Sequence, residues 1–295
     1  METFLEWGVN VVLWLQQFSP TFDGFFKSLT FFGNKEFFLL FLPLIYWCID
    51  RRTGARLLFL LLLSVFINSV AKVLVNQPRP FHYDSRVKKI VGAYDGGLPS
   101  GHTQNTTVLW GYLATRFRIK LLWILTGVLI VAVPLSRIYL GVHFPTDIIG
   151  GYILGILLLL GFIWLMPRAE TWMADKGIKW QLGLAFIVPL VMIFISPGGD
   201  RDCLTAVSAL WGFAVGMVLE RRWIRFSAGG VWWKRILRFL LGLVLLFGLW
   251  MGLRLGFQGL EPDFIFRVIR YALVGLGGSV GAPWMFIRLK LADAE

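Results

Sequence analysis

Three short polar groups interrupt the apolar first half of the chain, and their residue types suit the binding and transfer of an anion such as phosphate. Two of the chain's three histidines lie in them. Together they combine cations and backbone amides, which hold anions, with side chains that can move a proton. In chain order the groups are Lys72 through Arg79-Pro80, then Pro99-Ser100-Gly101-His102, then Ser136-Arg137 followed by His143 and Asp147.

His143 and Asp147 are the most informative pair. Proline is favoured at the first position of a helix, so Pro145 predicts His143 just before a helix and Asp147 in its first turn. The four-residue separation lets the carboxylate reach back to the imidazole and hold it in one tautomer. The other ring nitrogen is then free to act as a base or nucleophile. The structural alternative is a helix-capping aspartate beside an interfacial histidine.

Lys72, Arg79 and Arg137 supply positive charge near this pair. Lys72 is the only charge in an apolar run, and facing lipid there would cost roughly 2.5–3.5 kcal/mol, so it is predicted to face the bundle interior or to snorkel. Pro78 and Pro80 cannot continue a helix, which places Arg79 where the chain leaves the membrane. A lysine point charge and a planar arginine suit a phosphoryl group. A snorkelling lysine with an interfacial arginine is the alternative.

The second group lies at the start of a predicted helix. Pro99 and Gly101 flank Ser100 just before a helix that begins at Thr103 or earlier. Such a start presents unpaired backbone N–H groups and the positive end of the helix dipole, which suit an anion. An ordinary serine N-cap is the alternative, but His102 in the first turn adds a group that exchanges a proton near neutral pH.

A metal site is the main chemical competitor for these residues, because two histidines and an aspartate could bind zinc. The three cations argue against it, since they would repel a metal ion but neutralise a phosphoryl group and its transition state. The sequence therefore predicts a site without metal or cofactor.

The elements that must position these residues are membrane helices. The chain is 57% hydrophobic and only 16% charged, with a mean hydropathy of +0.70, far above a soluble domain. The segment from Phe4 to Phe18 is short and holds Glu6; it is predicted to span, which gives an even count, with an interfacial helix as the alternative. Clear candidates for crossing about 30 Å of hydrocarbon lie near 36–49, 55–75, 103–117, 120–140, 146–166, 181–197, 204–219, 236–254 and 268–287.

Positive charge orients the predicted bundle. The 29 Lys and Arg against 17 Asp and Glu indicate cytoplasmic connections rather than a nucleic-acid surface. Four basic connections alternate along the chain, near 51–56, 116–120, 168–179 and 221–235, and are predicted to be cytoplasmic. The loops 76–99, 141–145 and 198–203 then face the other side, and the three polar groups with them.

The chain is predicted to divide near Pro167, which is expected to stop the preceding helix before a polar stretch at 167–180. Residues 1–166 would form the catalytic core. Residues 167–295 would form a multi-span region of unknown role, because they hold no cluster of acids, His or Cys.

The three groups resemble the signature of the type-2 phosphatidic acid phosphatase superfamily, which includes vanadium haloperoxidases and glucose-6-phosphatase-like enzymes. That signature reads K-x6-RP, PSGH and SR-x5-H-x3-D, and all three parts occur here in order. The resemblance covers roughly residues 1–166 and leaves 167–295 outside the pattern. It implies an all-α polytopic membrane bundle, with a six-helix phosphatase core followed by about four additional C-terminal transmembrane helices.

The resemblance also implies roles for the site residues and no metal. His143 would attack phosphorus to form a phosphohistidine, Asp147 would orient it, and His102 would protonate the leaving oxygen. The phosphoryl oxygens would be held by Lys72, Arg79, Ser100, Gly101 and Arg137.

The function expected from these residues is a lipid phosphatase in a bacterial-type plasma membrane, with its site on the extracytoplasmic face. Its substrate would be a lipid phosphate monoester or an isoprenyl (polyprenyl) diphosphate, which the sequence does not separate. A lipid phosphotransferase is a close variant. An anion or lipid transporter with a basic interior is the alternative of a different class, and the oriented His143–Asp147 pair argues against it.

Overall fold

The computed structural model describes residues 2–93, 95–198 and 200–294, and these are nearly all helical. The only β-type pairing among them is an isolated antiparallel bridge between Phe226 and Ala294. The prediction of an all-α chain is confirmed. The helices are α1 (Glu2–Gln16), α2 (Asp23–Phe31), α3 (Lys35–Leu44), α4 (Arg51–Val75), α5 (Pro80–Tyr83), α6 (Gly101–Phe117), α7 (Lys120–Tyr139), α8 (Pro145–Ala174), α9 (Ile178–Ile195), α10 (Arg201–Leu219), α11 (Trp232–Gly256), α12 (Asp263–Leu276) and α13 (Ala282–Arg288), with π-helical turns at Ile45–Ile49, Glu220–Ile224 and Gly277–Gly281.

Within the described ranges, seven helices are long and apolar enough to cross a membrane, and an eighth crossing results if α2 and α3 are counted as one span bent by 41°. The chain is therefore a multi-pass membrane protein. The predicted spans near 4–18 and 103–117 form α1, with 15 residues, and α6, with 17. Both are shorter than the roughly 20 residues of a single crossing. That α1 spans the bilayer stays a prediction.

The α1 helix packs into the first half of the chain. Its side chains Leu5, Val9 and Val12 are buried in one cluster with Phe144 and Ile148, which flank the start of α8. This apolar face, repeating at the spacing of one helical turn, explains why α1 forms although Glu6 interrupts its sequence.

The described chain forms two compact units. The first comprises Met1–Phe38 and Ile67–Leu165, and the second comprises Leu39–Phe66 and Met166–Glu295. All three polar groups of the sequence lie in the first unit. The sequence did not indicate that Leu39–Phe66 belongs with the C-terminal half. It does so because Tyr46 and Trp47 are buried in one cluster with Phe213, Met217 and Phe286.

The expectation that Pro167 ends α8 is wrong, because the helix continues to Ala174. A proline removes one helical hydrogen bond without always ending the helix. One turn later, Glu170 accepts from Arg56 Nε at 2.8 Å and from Arg52 Nη2 at 2.6 Å. These ion pairs hold the last turns of α8 in the helical conformation.

In the first unit, a close contact between α8 and the start of α6 brings two polar groups together. A Cβ on Gly151 would lie 2.7 Å from the carbonyl oxygen of Ser100, so only glycine fits there without displacing backbone. The Ser100 N–H donates to the Asp147 carbonyl oxygen at 2.9 Å. The serine-glycine-histidine group therefore lies directly beside the first turn of α8.

Candidate active site

His143 and Asp147 meet as their spacing predicts. The Nδ1 of His143 lies 3.0 Å from Oδ2 of Asp147, and both side chains are buried. The same Oδ2 accepts from the Phe144 N–H at 2.9 Å, while Oδ1 accepts from Gln77 Nε2 at 2.6 Å. Three donors thus fix the carboxylate, which in turn fixes the imidazole ring and directs the Nδ1 proton towards itself.

The other ring nitrogen of His143 faces Arg79. Arg79 Nη1 donates to the Val142 carbonyl oxygen at 2.6 Å and lies 3.3 Å from His143 Nε2. Burial lowers the pKa of His143 well below its ordinary value, and the charges of Arg79, Arg137 and Lys72 lower it further. The imidazole is therefore neutral near pH 7, with the lone pair of Nε2 beside a guanidinium.

Lys72 and Arg79 converge on one carboxylate, that of Asp95, which sequence reasoning missed. Lys72 Nζ pairs with Asp95 Oδ2, and Arg79 Nη2 pairs with Oδ1. Arg79 Nε also donates to the Asp95 carbonyl oxygen at 2.8 Å. Burial alone would raise the pKa of Asp95, but the Lys72 ammonium and the Arg79 guanidinium outweigh it and hold that pKa below its ordinary value. The two cations therefore favour the ionised form of Asp95.

Arg137, the third predicted cation, is buried near the end of α7. Its Nη1 donates to Thr30 Oγ1 on α2 at 2.8 Å. Its Nε has no hydrogen-bond partner within the described part of the chain. A buried guanidinium N–H without a partner is costly, so this nitrogen is suited to a ligand oxygen.

Ser100 is the N-cap of α6, which is the structural alternative given for it in the sequence. Its hydroxyl caps α6 by accepting from Thr103 N at 3.4 Å and from Thr103 Oγ1 at 3.0 Å. Its own N–H is used by Asp147, as noted above. Gly101 then begins α6, and a Cβ there would lie 3.0 Å from Asn68 Oδ1. That Ser100 and Gly101 bind a phosphoryl group stays a prediction.

His102 is held by Asn34, a residue in the connection between α2 and α3. The Nε2 of His102 lies 2.9 Å from Asn34 Oδ1. A Cβ on the adjacent Gly33 would lie 2.8 Å from the imidazole Cδ2, so the backbone here approaches the ring closely. One nitrogen of His102 is thus fixed by an amide oxygen, which sets the orientation of the ring.

The sequence did contain a signal for one residue that it missed. Asn68 lies one helical turn before Lys72 in an apolar run, and a polar side chain there is expected to face the interior. It is buried, and its Nδ2 donates to Gln104 Oε1 at 2.8 Å and to the Pro99 carbonyl oxygen at 3.3 Å. Asn68 thereby ties α4 to the start of α6. For Gln77, Asn34 and Asp95, which lie in connections, the sequence carried no comparable signal.

No group of three or more His, Cys, Asp or Glu side chains suited to a metal ion occurs in residues 2–93, 95–198 and 200–294. The two ring nitrogens of His143 instead face the Arg79 guanidinium and the Asp147 carboxylate. His82, the remaining histidine, is exposed and contacts the ring of Phe81.

Two family models match the chain, and together they cover more than half of it. The model described as the PAP2 superfamily matches residues 53–171, and the model described as the PAP2 superfamily phosphatase, transmembrane extension, matches residues 204–294. The chain belongs to the PAP2 superfamily. The resemblance inferred from the three motifs is thus confirmed. The first match contains every predicted site residue of this PAP2 protein. The second corrects the expectation that the C-terminal half lies outside the family pattern.

Individual PAP2 relatives are about a third identical to the chain over the residues that align. Lipid phosphate phosphatase delta of Arabidopsis thaliana is 30% identical over 229 residues, which cover 72% of this chain and 55% of that protein. Sphingosine-1-phosphate phosphatase 2 of Mus musculus is 33% identical over 200 residues, covering 62% and 55%. A crystal structure of a transmembrane PAP2 type phosphatidylglycerolphosphate phosphatase from Bacillus subtilis is 23% identical with a TM-score of 0.49, covering 57% of this chain and 88% of that one. The chain spans about half the length of the two curated relatives.

Proposed function

We propose that this PAP2 protein is a membrane lipid phosphatase that hydrolyses the phosphate ester of a lipid through a phosphohistidine. The observation that carries the proposal is the His143 imidazole, fixed by Asp147 at Nδ1 and facing Arg79 at Nε2. A binding site for an anion needs cations but no oriented nucleophile. This is why a phosphatase is favoured over an anion or lipid transporter with a basic interior.

In the first step, the Nε2 lone pair of His143 attacks phosphorus while the bond to the lipid oxygen breaks. His102, oriented by Asn34, donates a proton to that leaving oxygen and releases the lipid as an alcohol. Asp147 stabilises the positive charge that develops on the His143 ring. Lys72, Arg79 and Arg137, with the α6 start at Ser100 and Gly101, hold the phosphoryl oxygens and stabilise the transition state.

In the second step, water attacks the phosphohistidine, and His102 takes the proton of that water. The products are inorganic phosphate and a neutral His143, so the cycle closes without metal or cofactor. A second lipid alcohol in place of water would make the protein a phosphotransferase, the close variant of the same chemistry.

A lipid substrate is supported by the membrane helices and by the relatives, which are named for lipid phosphate and for sphingosine 1-phosphate. Phosphate monoesters of lipids and polyprenyl diphosphates both present a terminal phosphoryl group, and both belong in the substrate panel. The protein would act in a bacterial-type plasma membrane.

The test is release of inorganic phosphate from that panel in detergent with EDTA present, which a metal-independent site withstands. His143→Ala is expected to reduce turnover at least about a thousandfold, as loss of a nucleophile does. The matched control is His82→Ala, because His82 is exposed and outside the site, and it is expected to keep activity within about twofold. Undiminished release by the His143 variant, or loss of activity with EDTA that zinc restores, would reject this mechanism.

We also propose that the site opens on the extracytoplasmic side, because the basic connections of the sequence orient the bundle by the positive-inside rule. In intact cells, a membrane-impermeant thiol reagent should label Ser85→Cys, in the link between α5 and α6. It should not label Lys120→Cys, in a basic connection. Both positions are exposed, and the native Cys48 and Cys203 are buried, so background labelling should be low. Labelling of Lys120→Cys alone would invert the orientation.

A further inference from the structure

Asp95 holds the two cations that the proposed function assigns to the phosphoryl group. Each of its carboxylate oxygens pairs with a different cation, Oδ1 with Arg79 and Oδ2 with Lys72. The side chains of Lys72 and Arg79 are 10% and 4% exposed, whereas the Asp95 side chain is 54% exposed. The Asp95 carboxylate therefore lies in an exposed link, between α5 and α6, and contacts two buried cations.

Of the three guanidinium nitrogens of Arg79, Nη2 is the one that a ligand can contact without displacing a backbone carbonyl oxygen. Its Nε and Nη1 donate to the backbone carbonyl oxygens of Asp95 and Val142. Among the residues that the structure describes, Nη2 donates to no backbone carbonyl oxygen, and the Asp95 carboxylate pairs with it. A phosphoryl group that reaches His143 and also engages Nη2 and Lys72 must therefore compete with that carboxylate.

We propose that the Asp95 carboxylate occupies the phosphoryl-binding position of the empty site and is exchanged for the phosphoryl group of the substrate. The proposal rests on the proposed function for the identity of the ligand. Two buried cations without a counter-ion would be costly. Asp95 neutralises them while no substrate is bound. It also weakens the apparent affinity for phosphate, because only the fraction of molecules with Asp95 withdrawn can bind.

The opposite role is a counter-ion that stays in place and positions Lys72 and Arg79 for the ligand. The two roles predict opposite signs when the charge is removed. If Asp95 is an internal competitor, removing its charge raises the affinity for phosphate. If Asp95 is a positioning counter-ion, removing its charge lowers that affinity.

The deciding experiment measures binding of inorganic phosphate and of vanadate to the full chain in detergent, by titration calorimetry and by ligand-induced thermal shift. Asp95→Asn keeps the side-chain shape and removes the charge. It is expected to tighten binding of both ions by about tenfold, because two charge-assisted contacts no longer compete. The matched control is Asp84→Asn, in the same link, where the carboxylate pairs with the exposed Arg86 at 2.7 Å. It should leave both affinities within about twofold. Unchanged or weaker binding by Asp95→Asn overturns the proposal.

A second measurement needs no variant and decides the matter if Asp95→Asn fails to fold. In the wild-type chain, saturating vanadate should speed amide hydrogen exchange in the peptide covering residues 91–98, because the bond from Arg79 to Asp95 is released. Slower or unchanged exchange there overturns the proposal. Both readouts are of binding, so a chain that binds vanadate but releases no phosphate from any lipid would reject the proposed function alone.

Discussion

The two units of the chain bury charge in different ways. Of the seven buried Lys, Arg, His, Asp and Glu residues among the described ones, five belong to the first unit and two to the second. Arg137 in the first unit and Arg238 in the second each keep a buried Nε without a partner among those residues, so this feature does not separate the units. What separates them is that Lys72 and Arg79, in the first unit, pair with a half-exposed aspartate. The five buried ionisable residues of the first unit are Lys72, Arg79, Arg137, His143 and Asp147.

In the second unit, Glu220 and Arg238 are buried among groups of the fold itself. Arg238 donates to three consecutive backbone carbonyl oxygens, of Ser227 at 2.9 Å, Ala228 at 3.0 Å and Gly229 at 2.6 Å. Glu220 accepts from Arg51 at 3.0 Å and from the Phe226 N–H. Buried charge alone thus does not mark a catalytic site. We expect the distinguishing feature to be a charge whose partner a ligand can replace, as proposed for Asp95.

This contrast predicts that charge changes in the first unit affect turnover and those in the second affect stability. The largest effect is expected for Asp147→Asn, which keeps the side-chain shape and one of the two acceptor oxygens but no longer stabilises a charged His143 ring. We expect kcat to fall by about 10³–10⁴, as for the aspartate of a catalytic triad, with little change in thermal stability. Steady-state kinetics and a melting curve in detergent check this. A large loss of stability with kcat intact would make Asp147 a structural residue.

The next effect is expected for Arg238→Met in the second unit. It leaves three backbone carbonyls without their donor, which should lower the free energy of unfolding by about 2–4 kcal/mol. Turnover per folded molecule should not change. Denaturant titration and active-site counting separate the two quantities, and Arg222→Met, at an exposed position, is the control with an expected change under about 0.5 kcal/mol. Loss of turnover in a fully folded Arg238 variant would contradict the contrast.

The smallest effect is expected for Asn34→Ala, which removes the orienting partner of His102 but no reacting group. We expect kcat to fall by about tenfold, since proton transfer by one positioned side chain contributes about 10²–10⁴ and orientation is part of it. In a His102→Ala background, the same change should have no further effect on kcat. Additive losses would mean that Asn34 acts independently of His102.

Several features of the site followed from the sequence because they are local. The four-residue spacing of His143 and Asp147 across a helix start fixed by Pro145 places the two side chains within reach of each other whatever surrounds them. The apolar runs likewise determined a helical membrane protein, since only closed backbone hydrogen bonding is tolerated in lipid. The order of the three motifs was sufficient to predict the family.

The remaining features depend on contacts between residues far apart in the chain, and only the tertiary structure decided them. Asn34 meets His102 across 68 residues and Gln77 meets Asp147 across 70, pairings that no local pattern encodes. Asp95 lies in a link outside the helices and pairs with Lys72 and Arg79 from 23 and 16 residues away, so its place on the predicted phosphate-binding cations could not be inferred from spacing. The continuation of α8 past Pro167 was decided in the same way, because the ion pairs of Glu170 with Arg52 and Arg56 outweigh the local preference of proline to end a helix.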